Sequence, residues 1–231
     1  DRLILMPQVI NPELSDDDIK QLCMHAKQYF NVVIIVPSEH RANYWKDCAD
    51  SVLKKGNIHE GIKALKQTKN GLTVLVNRYD GIDLPNDACR LLIIDGLPDV
   101  RRMIDKVEEG ILLGTDRSAT QITQRVEQGM GRGVRSNDDY CAVLLMGKTL
   151  TRKLYASSGS QKFSVGTKAQ LDLSEKVASQ IAKADLKAIW DTLLYCLNQD
   201  PQWVSSSKGV LTSLTAIPAS NADPVTMELR K

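Results

Sequence analysis

Four runs, NVVIIV from residue 31, LTVLV from 72, LLIID from 91 and CAVLLM from 141, are almost wholly apolar and rich in β-branched residues. A strand with one wet face alternates apolar and polar side chains, whereas a strand covered on both faces does not. These runs therefore belong inside a sheet that carries helices on both sides. The intervening stretches have helical periodicity: LSDDDIKQLCMHAKQYF from 14, HRANYWKDCADSVLKK from 40, IHEGIKALKQT from 58 and TQITQRVEQG from 120. Ser15 is placed to cap the first of these, and Asp16 to Asp18 suit its positive end. LILMPQVI from residue 3 reads as one more strand. Strands alternating with helices predict a three-layer α/β/α sandwich around a mainly parallel sheet.

The 231 residues are enough for one such domain plus an appendage. The texture changes after TLTRKLYASSGSQKF, where LSEKVASQIAKADLKAIWDTLLYCLNQ from 173 is helical throughout and QWVSSSK from 202 can add a short helix. The expected organisation is the sandwich domain over 1–157, a small helical extension over 158–206, and a tail over 207–231 that is poorly ordered or docked on a partner. A net charge of +2 advertises no polyanionic partner, so any nucleic-acid contact must come from a local patch. Five scattered cysteines without a C-x-x-C pair argue against a disulfide framework or zinc ribbon and fit a reducing cytoplasm. No apolar run is long enough to cross a membrane, and no membrane partner is expected. The first residues lack the features of a signal peptide, and without an initiator Met the chain reads as a piece of something longer.

Two stretches imitate a nucleotide site. MGKT at 146–149 contains the GKT of a phosphate loop, but Ala142 stands where the first glycine of that loop is needed. LLIID resembles a strand ending in a magnesium-binding acid, yet Gly96 follows where a second acid is usual, so Asp95 reads as a strand-end residue. GMGRGV is no dinucleotide fingerprint, since Val134 occupies the third glycine position.

QGMGRGVR, at 128–135, offers the opposite half of such a site. Arginine is suited to a planar, permanently charged contact with a transferring phosphoryl group. Arg132 and Arg135 are three apart and share one side of a helical turn, with Gln128 one turn earlier. A glycine-rich turn bearing solvated arginines explains the octapeptide equally well when it is read alone.

Read with its neighbours, Q-x-x-G-R-x-x-R (Gln128, Gly131, Arg132, Arg135) resembles motif VI of superfamily 2 helicases. VLVNRYDGIDLP, at 74–85, resembles their motif V, with Asp80 where Glu is common, and VVIIVPSEHRANYW, at 32–45, resembles the motif IV region. The three stand in the family's order, over about residues 1–150, each beside the carboxyl end of a predicted strand, where open α/β sheets bind ligands. The chain is thus similar to the second RecA-like domain of a DEAD/DEAH-type helicase, with a bacterial cast and a more distant likeness to the DinG-like group.

The resemblance implies the C-terminal half of an ATP-dependent helicase or translocase. It implies ATP with Mg2+, the metal and phosphate loop being held by an N-terminal RecA-like domain of the same protein. Arg135 would be the arginine finger, with Arg132 beside it and Gln128 on a phosphate oxygen or water. Gly81, Asp83 and Gly131 would approach the nucleotide, although Asp83 as a turn or cap residue remains open. The glycines would let the turn come close to a nucleotide held from the other side. Ser38, Arg41, Asn77 and Arg78, with His40 nearby, would grip phosphates of single-stranded or duplex nucleic acid, DNA being favoured over RNA. For Arg41 a solvated helix face is an equal alternative. Trp45 and Trp203 could stack on bases, but their helical spacing fits core positions. The alternative to a motor half is a non-catalytic RecA-like scaffold that binds nucleic acid or protein.

Overall fold

The computed structural model describes residues 1–79, 81–97, 116–133, 139–156 and 159–215. Six strands, β1 (Arg2–Leu5), β2 (Asn31–Val36), β3 (Ser51–Leu53), β4 (Gly71–Val76), β5 (Leu91–Asp95) and β6 (Cys141–Met146), form one sheet. Their order is β1-β6-β5-β2-β4-β3, and every pair is parallel. The four apolar runs are the four central strands, which explains why none alternates. The edge strands are the ones the periodicity misplaced. Only Arg2–Leu5 of the first run is strand; Pro7, whose missing N–H suits the first helical turn, opens the short helix α1 (Pro7–Ile10). Likewise HRANYWKDCADSVLKK is not one helix: α3 (Glu39–Trp45) stops early, and Ser51–Leu53 adds β3 at the edge beside β4. Three residues are too few to show a period.

Alternate side chains of each strand feed two cores. On one face Val32, Ile34, Val36, Leu72, Val74 and Val76 pack with α3 and α2 (Asp16–Ala26). Ser15 caps α2 as expected, accepting from the Asp18 N–H while the Asp18 carboxylate accepts from the Ser15 N–H. On the other face Val33, Ile35, Leu92, Ile94, Val143 and Leu145 meet α5 (Asp116–Met130) through Val126 and Met130, and α6 (Lys148–Ala156) through Leu150 and Leu154. Between β3 and β4 lies α4 (Ile58–Leu65).

The residues after 163 are built into the same sandwich. Helix α7 (Val165–Gln180) lies along edge strand β1, where Ser174 Oγ accepts from the Ile4 N–H at 2.9 Å and donates to the Gln170 carbonyl at 2.7 Å. Arg2 donates to Gln170 Oε1 and Thr167 Oγ1 at 2.8 and 3.3 Å. The helical run breaks at Lys183, whose φ of +62° is left-handed and whose N–H meets the Ile10 carbonyl at 2.8 Å. Beyond it, α8 (Leu186–Leu197) places Ile189, Leu193 and Cys196 in the first core. Helix α9 (Pro201–Thr215) continues past 207, the expected start of the tail, and buries Ser207 against Asp1. Trp45 and Trp203 are both core residues. All five cysteines are buried free thiols.

Candidate functional site

The carboxyl ends of β4, β2, β5 and β6 lie side by side, so the segments that follow them form one edge. Three of these segments turn through left-handed backbone: Asn77 (φ +52°) after β4, Gly96 (φ +94°) after β5 and Gly147 (φ +101°) after β6. Asn77 is held there by its N–H on the Val36 carbonyl at 2.7 Å. The glycines of the last two segments touch: a Cβ on Gly147 would lie 3.5 Å from Gly96 Cα. Gly147 also donates to Gln8 Oε1 at 2.9 Å, and Ala142 lies inside β6, so GKT leads from a strand straight into a helix without a glycine-rich loop before it.

The loop after β4 runs from Arg78 to Leu84. Tyr79, Ile82 and Leu84 point into the second core, while Gly81 (φ +71°) and Asp83 are exposed. Arg78 is half-exposed and makes no hydrogen bond or ion pair with described residues. Asp80 lies outside the described residues.

Against this loop sits the end of α5. Gly129 faces the sheet, where a Cβ would lie 3.0 Å from Ile94 Cδ1 and 3.1 Å from Tyr79 Cδ1. At Gly133 a Cβ would collide with Cys141 Sγ at 2.6 Å. These two glycines therefore bring the turn against the sheet itself, whereas the sequence had them clearing space for a nucleotide. Gly131 continues the helical turn, its N–H on the Glu127 carbonyl at 2.9 Å. Gln128 is exposed on the last turn. Half-buried Arg132 turns its guanidinium onto the loop: Nε donates to the Tyr79 carbonyl at 3.1 Å and Nη1 to the Ile82 carbonyl at 2.9 Å. The Arg132 carbonyl accepts from the Leu84 N–H at 3.3 Å. Arg135 lies outside the described residues.

Two of the expected nucleic-acid ligands have work inside the fold. Ser38 is the N-cap of α3, its hydroxyl accepting from the Arg41 N–H at 3.2 Å. Arg41 is partly exposed, and its guanidinium is engaged by two carboxylates. Its Nε donates to Asp95 Oδ2 at 2.7 Å and its Nη2 to Asp16 Oδ2 at 2.6 Å, and its guanidinium lies 4.3 Å from the Tyr44 ring centre. Asp95 is 2% exposed and also accepts from Trp45 Nε1 at 2.7 Å. Burial raises its pKa, opposed by the Arg41 and Trp45 hydrogen bonds and the Arg41 charge. Asp95 ends β5, as the sequence indicated, and the structure adds that it anchors Arg41 and Trp45 there. Asp16, by contrast, was read only as a complement to the helix dipole; nothing in its local pattern signals an arginine 25 residues away.

The structure thus brings together Gln128, Gly131, Arg132, Gly81 and Asp83 around one loop–turn junction, with Asn77 and Arg78 at its start. Ser38 and Arg41 stand at the end of neighbouring β2, committed to α3 and to the Asp95 cluster.

The sequence profile of the helicase C-terminal domain family matches residues 24–165, from within α2 to the first residue of α7. No curated protein matches the chain. Among solved structures, the chain is similar to one described as Mss116p DEAD-box helicase domain 2 bound to an RNA duplex. That match has 13% identity and a TM-score of 0.37, and covers 87% of each chain.

Proposed function

Because the chain belongs to the helicase C-terminal domain family, we propose that it is the C-terminal half of an ATP-dependent nucleic-acid helicase or translocase. The observation that carries this reading is the junction of the Gln128–Arg132 turn with the Arg78–Leu84 loop at the carboxyl edge of a parallel sheet. Arg132 is a cation held by two carbonyls with no carboxylate partner among the described residues. That arrangement suits a phosphate, which would supply the missing negative charge. Exposed Gln128 can orient a phosphate oxygen or water, and the bare Gly81 backbone admits close approach. ATP, when bound, supplies the phosphoanhydride whose hydrolysis drives the cycle. The described residues fit its phosphate end only, so Mg2+ and the β-phosphate are assigned to an N-terminal RecA-like domain. Arg135, three residues past Arg132, is assigned as the arginine finger. Asn77 and Arg78 are assigned as phosphate grips on a nucleic-acid strand, with DNA the favoured substrate.

The internal commitment of Arg41 is the one observation that favours a non-catalytic scaffold. ATP turnover separates the two readings. In the intact motor, nucleic-acid-stimulated ATP hydrolysis should fall on the order of 10³-fold or more in Arg135→Ala, with binding to labelled single strands retained. Unchanged turnover removes Arg135 from the chemistry, and no turnover in the unaltered protein leaves the scaffold.

A further inference from the structure

The contacts of Arg132 go beyond a phosphate ligand. Its two carbonyl acceptors, Tyr79 and Ile82, lie on either side of Gly81, and neither residue is paired in a strand among the described residues. The Leu84 N–H closes the same segment onto the Arg132 carbonyl at 3.3 Å. Tyr79 is fixed from two further directions, by the bare face of Gly129 and by its hydroxyl, which donates to the Gly96 carbonyl at 3.4 Å. Resting on the motor reading above, we propose that Arg132 is a positioning residue. It clamps Tyr79, Ile82 and Leu84 to the nucleotide-facing turn, so that the phosphate grip at Asn77 and Arg78 follows any movement of that turn.

Arginine is needed for this. One planar head with five N–H donors reaches two carbonyls, whereas a lysine ammonium on a flexible stem holds one or the other. Two of the five donors are used, and the other three engage no described residue. The same head can therefore keep the loop while meeting an oxygen of the nucleotide. The link is a set of three hydrogen bonds shared by two sites, a contiguous contact of the kind that carries coupling.

The test uses Arg132→Lys, Arg78→Ala and the double variant in the 231-residue chain, with amide hydrogen exchange and anisotropy of a labelled oligothymidine as readouts. In Arg132→Lys the Leu84 amide should exchange roughly tenfold faster or more, while amides of β2 and β5 keep their rates. Oligothymidine binding should weaken several-fold, to about the level of Arg78→Ala, and the double variant should be no weaker than Arg78→Ala alone. Unchanged Leu84 exchange overturns the clamp, and additive losses in the double variant overturn its link to the grip. If all three variants bind as the parent does, the nucleic-acid reading fails, whereas accelerated Leu84 exchange still supports the clamp.

Discussion

Glycine and arginine at neighbouring positions of one turn do opposite kinds of work. Gly129 and Gly133 matter for what they lack, since each position is filled by a neighbour's side chain. Gly133→Ala puts a methyl 2.6 Å from Cys141 Sγ and 3.1 Å from its Cβ. Overpacking of this kind costs about 1–3 kcal/mol, to be read as a lowered denaturation midpoint. Cys141→Ala in the same chain should recover part of that loss, because the sulfur is the worst contact; strictly additive effects would show that the contact is not the cause. The arginines matter for reach. Arg132 and Arg41 were both singled out by their place in motifs, and that much was legible. Their partners were not, because Tyr79, Ile82, Asp95 and Asp16 lie 25 to 54 residues away in sequence.

At the scale of elements, the central strands were the most legible part and the edges the least. A strand covered on both faces must be apolar at every position, which leaves an unmistakable run. An edge strand such as β1 or β3 is short and covered unevenly, and its hydrogen-bonding side needs some other protection. For β1 that protection is α7: the Ser174 hydroxyl occupies the Ile4 N–H within a fully buried contact. Ser174→Ala leaves that donor without a partner and should cost about 1–3 kcal/mol. Faster exchange at the Ile4 amide, with the β2 and β4 amides unchanged, would place the loss at this edge; a uniform loss of protection would not.

For the whole molecule, the helices after 163 change status. Composition and the loss of strand signal set them apart as an extension, but a core is defined by contact and not by texture. Ile189, Leu193, Cys196 and Trp203 share a cluster with Val32, Ile34, Leu91 and Ile93, so the sheet has one of its covers from that region. A chain ending at residue 164 would expose this face and the β1 edge together. It should lose cooperative thermal unfolding and aggregate, as seen by circular dichroism and light scattering. A truncated chain that melts sharply would mean that the first 164 residues are a self-sufficient domain. The sequence by itself determined the apolar strand runs, the Ser15 cap, the order of the three motifs and hence the helicase C-terminal domain family. All of these are carried by local periodicity or by spacing along the chain. Only the tertiary structure decided that Arg41 belongs to Asp95, that Arg132 holds the Gly81 loop, and that the extension closes the core. Those pairings depend on which strand ends lie side by side, and a parallel sheet brings together residues that the chain keeps far apart.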